Sequence, residues 1–135
     1  IYDDFAHHPT AVRVTLEALK EHVSPGRLIA AFEPRSATAC RRLHQEAYAE
    51  AFGAADQVIL APVGRDLPAA EMLDTNQLAR DLAQRGIPAQ AAASHGDVLS
   101  RILSIATAGD SVVFLSNGAF GGLKTRLLDA LGQRT

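Results

Sequence analysis

Short, uninterrupted apolar runs alternate along this chain with longer stretches whose apolar residues recur every three or four positions. Leu28-Ile29-Ala30-Ala31-Phe32 and Ser111-Val112-Val113-Phe114-Leu115 are the plainest runs, and Gln57-Val58-Ile59-Leu60 is another. Strands covered on both faces read this way, because neither face requires polar residues. Ile1 to Phe5 and an alanine-rich segment from Pro88 to Ala93 complete five predicted strands.

Helical spacing fills the intervals. Val12, Leu16, Leu19 and Val23 mark a first helix, with Pro9-Thr10 as start and Ser24-Pro25-Gly26 as stop. A second is predicted to turn Leu43, Ala47, Tyr48, Ala51 and Phe52 inward and to end at Gly53. Pro62 to Pro68 reads as loop. Asn76 to Gln84 forms a third helix on Leu78 and Leu82, closed by Gly86; Val98, Ile102 and Ile105 define a fourth. Gly109-Asp110 is a turn, and Leu123, Leu127, Leu128 and Leu131 carry the last helix. Strict strand and helix alternation predicts α/β architecture: a three-layer, Rossmann-like, mostly parallel sheet with helices on both faces, in one domain covering residues 1–135.

Composition narrows the partners. Nearly half of the residues are apolar, 47%, enough for a core, and 13 basic against 15 acidic residues leave a net charge of −2. Such a balance gives no field for capturing nucleic acid or an anionic membrane, so any anionic ligand is held locally. The single cysteine, Cys40, excludes an internal disulfide and suits the cytoplasm. No run reaches the roughly 20 apolar residues of a membrane helix, and the first residues do not form a signal peptide. The chain opens on a predicted strand without an initiator methionine, which leads us to expect a piece of a longer polypeptide.

In a parallel sheet, ligands gather beyond the carboxyl ends of the strands, where loops converge and helix N-termini direct N–H groups at the crevice. Three unusual loops fall at such ends: Asp4 to Thr10, Glu33 to Thr38, and Ser116 to Gly122. At least two are expected to share one crevice. The first concentrates Asp3, Asp4, His7 and His8, for which metal binding, acid-base work and contact with a nucleotide compete, alongside a plain capping role for an aspartate and a histidine. A metal is the weakest of these, since adjacent histidines rarely converge and no third ligand follows at metal spacing.

In the second loop Arg35 offers a planar fork suited to a carboxylate, the alternative being a surface pair with Glu33 or another acid. The third loop is neither a Walker A loop nor a dinucleotide glycine pattern, yet could present N–H groups to an anion. Its glycines fit a tight turn equally well, but Ser116, Asn117 and an exposed Phe120 do not need one. His22, His44 and His95 receive no role. Ser94-His95-Gly96-Asp97 is not triad geometry, and His95 reads as a loop residue before the fourth helix.

At Tyr2-Asp3-Asp4-Phe5-Ala6-His7-His8-Pro9-Thr10-Ala11 the sequence resembles the C-terminal domain of the Mur ligases, the ATP-dependent amide-forming enzymes of peptidoglycan synthesis. Phe32-Glu33-Pro34-Arg35-Ser36 and Leu115-Ser116-Asn117-Gly118-Ala119-Phe120-Gly121-Gly122 look like the loops of one branch, the murein peptide ligases. The L-alanine-adding branch shares the first motif, usually with tyrosine at Phe5, but carries different second and third loops. Departures exist at Ala37, Ala119 and Ala39-Cys40-Arg41-Arg42, and they bear on peptide contacts, not on the family.

The resemblance implies a recycling enzyme that uses ATP and Mg2+ to join L-Ala-γ-D-Glu-meso-diaminopimelate to UDP-N-acetylmuramate through an acyl phosphate. The central ATP-binding and N-terminal UDP-sugar domains are absent here and hold most of both cofactors' contacts, so no catalytic residue and no metal ligand is assigned to this chain. It implies ATP contact by Asp4, Phe5, His7 and, more weakly, His8, and peptide contact by Arg35, Ser36, Ser116, Asn117, Gly118 and Phe120. Asp4 and His7 are expected to look under-employed without the neighbouring domain. The alternatives are the same domain of the L-alanine-adding ligase, or a stand-alone nucleotide-binding module.

Overall fold

A computed structural model describes residues 1–35, 41–64, 68, 70–116 and 118–132. Five strands, β1 (Tyr2–Asp4), β2 (Leu28–Phe32), β3 (Gln57–Leu60), β4 (Ala89–Ala91) and β5 (Ser111–Leu115), pair in the order β1-β5-β2-β3-β4. Every pairing is parallel. Between and after them run α1 (Pro9–Val23), α2 (Gln45–Ala51), α3 (Thr75–Gln84), α4 (His95–Ile105) and α5 (Leu123–Gly132). The expected three-layer Rossmann-like architecture is the one observed.

The apolar runs divide residue by residue between two cores. Leu28, Ala30 and Phe32 of β2 join Val113 and Leu115 of β5 under α1, α2 and α3, while Ile29, Ala31, Val112 and Phe114 face α4 and α5. Successive strand side chains point to opposite faces, so a strand buried on both must be apolar throughout. Phe32, Tyr48 and Phe52 pack as an aromatic cluster on the first face, with Phe32 centroids 5.0 and 5.6 Å from its partners.

Helix ends follow the local chemistry. Pro9 opens α1, where its missing N–H is no loss, and Ser24 ends it. Asp74 and Ser94 cap α3 and α4 by accepting from Gln77 N and Asp97 N, both at 3.0 Å. The expected third helix begins one residue earlier, at Thr75, and the alanine-rich strand shrinks to Ala89–Ala91.

Two inward assignments are corrected. Leu43 is 75% exposed and Ala47 is exposed, because a 3-10 turn over Arg42–His44 precedes α2 and shifts the helical phase, leaving Tyr48, Ala49 and Ala51 to face the core. Of the leucines that mark the last helix, Leu123 and Leu127 are buried and Leu128 is 51% exposed.

The amino ends of the central strands are pinned by ion pairs. Lys20 Nζ meets Asp56 Oδ2 at 2.6 Å, and the same oxygen accepts from Leu28 N at 2.7 Å. Arg27 grips Asp110 through two bonds of 3.1 and 2.6 Å. At the opposite pole, helices on one face follow β1, β2 and β3 and those on the other follow β4 and β5. The crossover direction therefore reverses between β2 and β5, which opens a crevice at their carboxyl ends.

Candidate functional site

The residue after β2 is Glu33 and the residue after β5 is Ser116, so the switch point brings them side by side. Ser116 Oγ donates to Glu33 Oε1 at 2.7 Å and accepts from Gly118 N at 3.1 Å. Both residues are 3% exposed. The second carboxylate oxygen, Glu33 Oε2, lies 2.5 Å from His95 Nε2. Backbone bonds continue the bracing: Glu33 N donates to Leu115 O at 2.9 Å, and Ser116 N to Asp4 O at 3.1 Å. All three expected loops therefore meet at one edge, with the β5 loop between the other two.

Glu33 directs its two carboxylate oxygens to Ser116 and His95, and Arg35 follows it by two residues. The arginine side chain runs through a slot made by two glycines. A Cβ on Gly64 would stand 3.0 Å from Arg35 Cγ; a Cβ on Gly118 would stand 3.0 Å from Cζ and closer still to Nη1. Glycine is needed at 118 for close approach rather than for backbone conformation. Arg35 lines a cleft of about 410 Å³ together with Glu33, Pro62, Val63, Gly64 and His95.

The first loop is organised locally. Asp4 Oδ1 accepts from Ala6 N at 2.8 Å, and His7 Nδ1 donates to Phe5 O at 2.8 Å. The Tyr48 hydroxyl donates to the His7 carbonyl, which ties the loop to α2. His8 is the N-cap of α1, its Nδ1 accepting from Thr10 N at 3.4 Å, and its ring stands 5.5 Å from that of His44. Burial lowers the His44 pKa, and charge repulsion from His8 adds to it. Asp4 and His7, expected to look under-employed, each make one short-range bond within the loop. Phe5 is 75% exposed beside a small cavity of about 70 Å³ bounded by Asp3, Asp4, Phe5, Ser116 and Gly118.

The exposed Phe120 is also corrected. Its backbone adopts φ 50°, left-handed for a non-glycine residue, and this turns the ring inward to 2% exposure against Phe114 and His95, with centroids 5.6 and 5.5 Å away. Phe120 thus supports the crevice from below. Ser36 and Asn117 lie outside the described residues.

Glu33 and His95 were missed as site residues. The usable signal was topological: His95 opens α4 immediately beyond β4, at the same pole of the sheet as the three loops. Among the described residues there is no group of three or more His, Cys, Asp or Glu side chains that could hold a metal ion. Among them, too, no helix is long and apolar enough to cross a membrane.

A doubly wound parallel sheet with a buried, hydrogen-bonded carboxylate at its switch point defines a Rossmann-like α/β domain. The model of one family, described as Mur ligase, glutamate ligase domain, matches residues 1–118, and the chain belongs to that family. It is 37% identical over 136 aligned residues to the UDP-N-acetylmuramate–L-alanyl-γ-D-glutamyl-meso-2,6-diaminoheptandioate ligase of Haemophilus influenzae, an alignment covering 97% of this chain and 27% of that protein. A UDP-N-acetylmuramate–L-alanine ligase of a Synechococcus species is 31% identical, over 99% of this chain and 30% of the relative. The crystal structure of a domain assigned to a UDP-N-acetylmuramate:L-alanyl-γ-D-glutamyl-meso-diaminopimelate ligase of Haemophilus ducreyi superposes with a TM-score of 0.73 at 32% identity, covering 96% of this chain and 88% of that one. The chain thus spans less than a third of the full-length ligases that it resembles, and among them the tripeptide-adding branch is favoured over the L-alanine-adding one.

Proposed function

We propose that this chain, as one domain over residues 1–135, is the acceptor-binding and nucleotide-closing part of a cytoplasmic, ATP-dependent amide ligase that joins L-Ala-γ-D-Glu-meso-diaminopimelate to UDP-N-acetylmuramate in peptidoglycan recycling. The observation that carries the reading is Arg35, whose side chain packs against Gly64 and Gly118 and lines the cleft beyond the carboxyl ends of β2 and β3. A guanidinium so confined has lost much of its rotamer freedom before binding, and its planar fork suits a carboxylate of the acceptor.

On this reading the first loop serves the nucleotide. Asp4, exposed Phe5 and His7 would face ATP held by a central domain of the same polypeptide, while His8 acts mainly as a helix cap. Mg2+ would be held with ATP mainly by that other domain. Ser116 and Gly118 would shape the acceptor cleft, and Phe120 would support it; Ser36 and Asn117 complete the proposed set. The phosphoryl chemistry needs positioned cations and N–H donors rather than a nucleophile from this domain.

The test uses the full-length ligase. Arg35→Ala should raise KM for tripeptide by tenfold or more, about the loss of one charge-assisted bidentate contact, and leave KM for ATP within about twofold, the spread of a neutral change. Equal effects on both substrates would defeat the assignment. The chain by itself should form no amide product from the three substrates, and competition between free L-alanine and tripeptide as acceptor should favour the tripeptide.

A further inference from the structure

Tyr48 is 0% exposed, yet its hydroxyl reaches the first loop, where it donates to the His7 carbonyl. The ring is set from three sides, with centroids 5.0 Å from Phe32, 6.3 Å from His44 and 6.5 Å from Phe52. A ring packed in this way has little freedom to turn, so the hydroxyl is presented at a fixed point. The bond also comes from 41 positions along the chain, whereas the side-chain bonds that Asp4, His7 and His8 make within the loop each span two residues. Those short bonds shape the loop locally. The one from Tyr48 places it on the body of the domain.

That placement is passed on to Phe5. His7 Nδ1 donates to the Phe5 carbonyl at 2.8 Å, so a His7 backbone held by Tyr48 carries Phe5 with it. At 75% exposure, Phe5 has little packing of its own to fix its position. A second tie converges on the same tyrosine: the His8 ring stands 5.5 Å from that of His44, which in turn packs on Tyr48. A loop ordered in the free protein does not lose that freedom again when a ligand arrives. On its other side the Tyr48 ring meets Phe32, the last residue of β2 before Glu33. The hydroxyl therefore acts on the first loop, and the ring on the core beneath the second.

We infer that Tyr48 is a positioning residue for the nucleotide: its hydroxyl pre-orders the first loop and, through His7, holds Phe5 where ATP meets it. Tyr48 acts through the loop and does not touch the ligand. The inference rests on the first loop being the part that faces ATP, as proposed above. Tyr48→Phe isolates the effect, because the ring keeps its contacts with Phe32 and Phe52 and the core stays filled.

In the full-length ligase, Tyr48→Phe should raise KM for ATP about fivefold, the scale of one neutral hydrogen bond, and leave kcat and KM for tripeptide unchanged within about twofold. Backbone hydrogen exchange in the same variant should quicken across residues 5–8 and stay as in the wild type along β2. A wild-type KM for ATP overturns the proposal, as does an equal rise for both substrates, which a general loosening of the core would give. Unchanged exchange across residues 5–8 overturns it too. Because Tyr48 acts through Phe5, the double variant of Phe5→Ala and Tyr48→Phe should have a KM for ATP no higher than Phe5→Ala alone, and multiplying effects count against the inference. Phe5→Ala also separates the two layers. No rise in KM for ATP in either single variant takes the nucleotide away from this loop altogether; a rise in Phe5→Ala without one in Tyr48→Phe removes Tyr48 alone.

Discussion

Ser116 and Glu33, 83 positions apart in the sequence, share a hydrogen bond of 2.7 Å that closes the gap between the two central strands where they leave the sheet. The serine hydroxyl donates to the carboxylate and accepts from Gly118 N, so one atom joins the floor of the crevice to the loop that backs Arg35.

Removing that hydroxyl leaves a buried carboxylate oxygen and a backbone N–H short of a partner. Ser116→Ala should cost about 1–3 kcal/mol, the penalty for a polar group left unsatisfied in the interior. Denaturant unfolding of the chain should show it as a lowered midpoint with an unchanged slope.

Gly118→Ala should separate site shape from fold. Its Cβ would fall 3.2 Å from Arg35 Cδ and nearer to the guanidinium, so the flexible arginine has to leave its slot. The backbone at 118 is not left-handed, so the melting temperature should hardly change. KM for tripeptide in the full-length enzyme should rise towards that of Arg35→Ala. A variant with wild-type KM would show that the slot does not position the fork.

Acid stability should depend on the opposite pole. Hydrogen bonds from Arg27 hold the Asp110 carboxyl below its ordinary pKa, against a smaller opposing effect of burial, with Thr107 helping. A depressed folded-state pKa gives stability that is fully present above the unfolded value of about 3.9 and is lost as pH falls through the folded one. Asp110→Asn should therefore be less stable than wild type by a constant amount near neutrality, with the gap closing below about pH 4. Chemical denaturation at a series of pH values reads this directly; a gap independent of pH down to pH 2 would contradict it.

The layers of the fold were legible because buried parallel strands cannot alternate in polarity, and β2, β3 and β5 do not. The inward face of a helix was legible only where no 3-10 turn reset its phase: Leu16 and Leu82 were read correctly, Leu43 was not. Phe120 was misplaced because a left-handed φ at a non-glycine residue reverses a side chain without leaving a mark on composition. The candidate loops could be found from strand ends alone, and Arg35 with them. Their joining through Glu33 and His95, 62 residues apart, follows from strand order, which no local pattern encodes.

The ion pairs Lys20–Asp56 and Arg27–Asp110 anchor the strands at one end of the sheet, while every candidate ligand contact stands at the other. On the proposed function, this division would make acceptor preference an exchangeable property: loops at the crevice should be replaceable without disturbing the anchors that keep the strands in register.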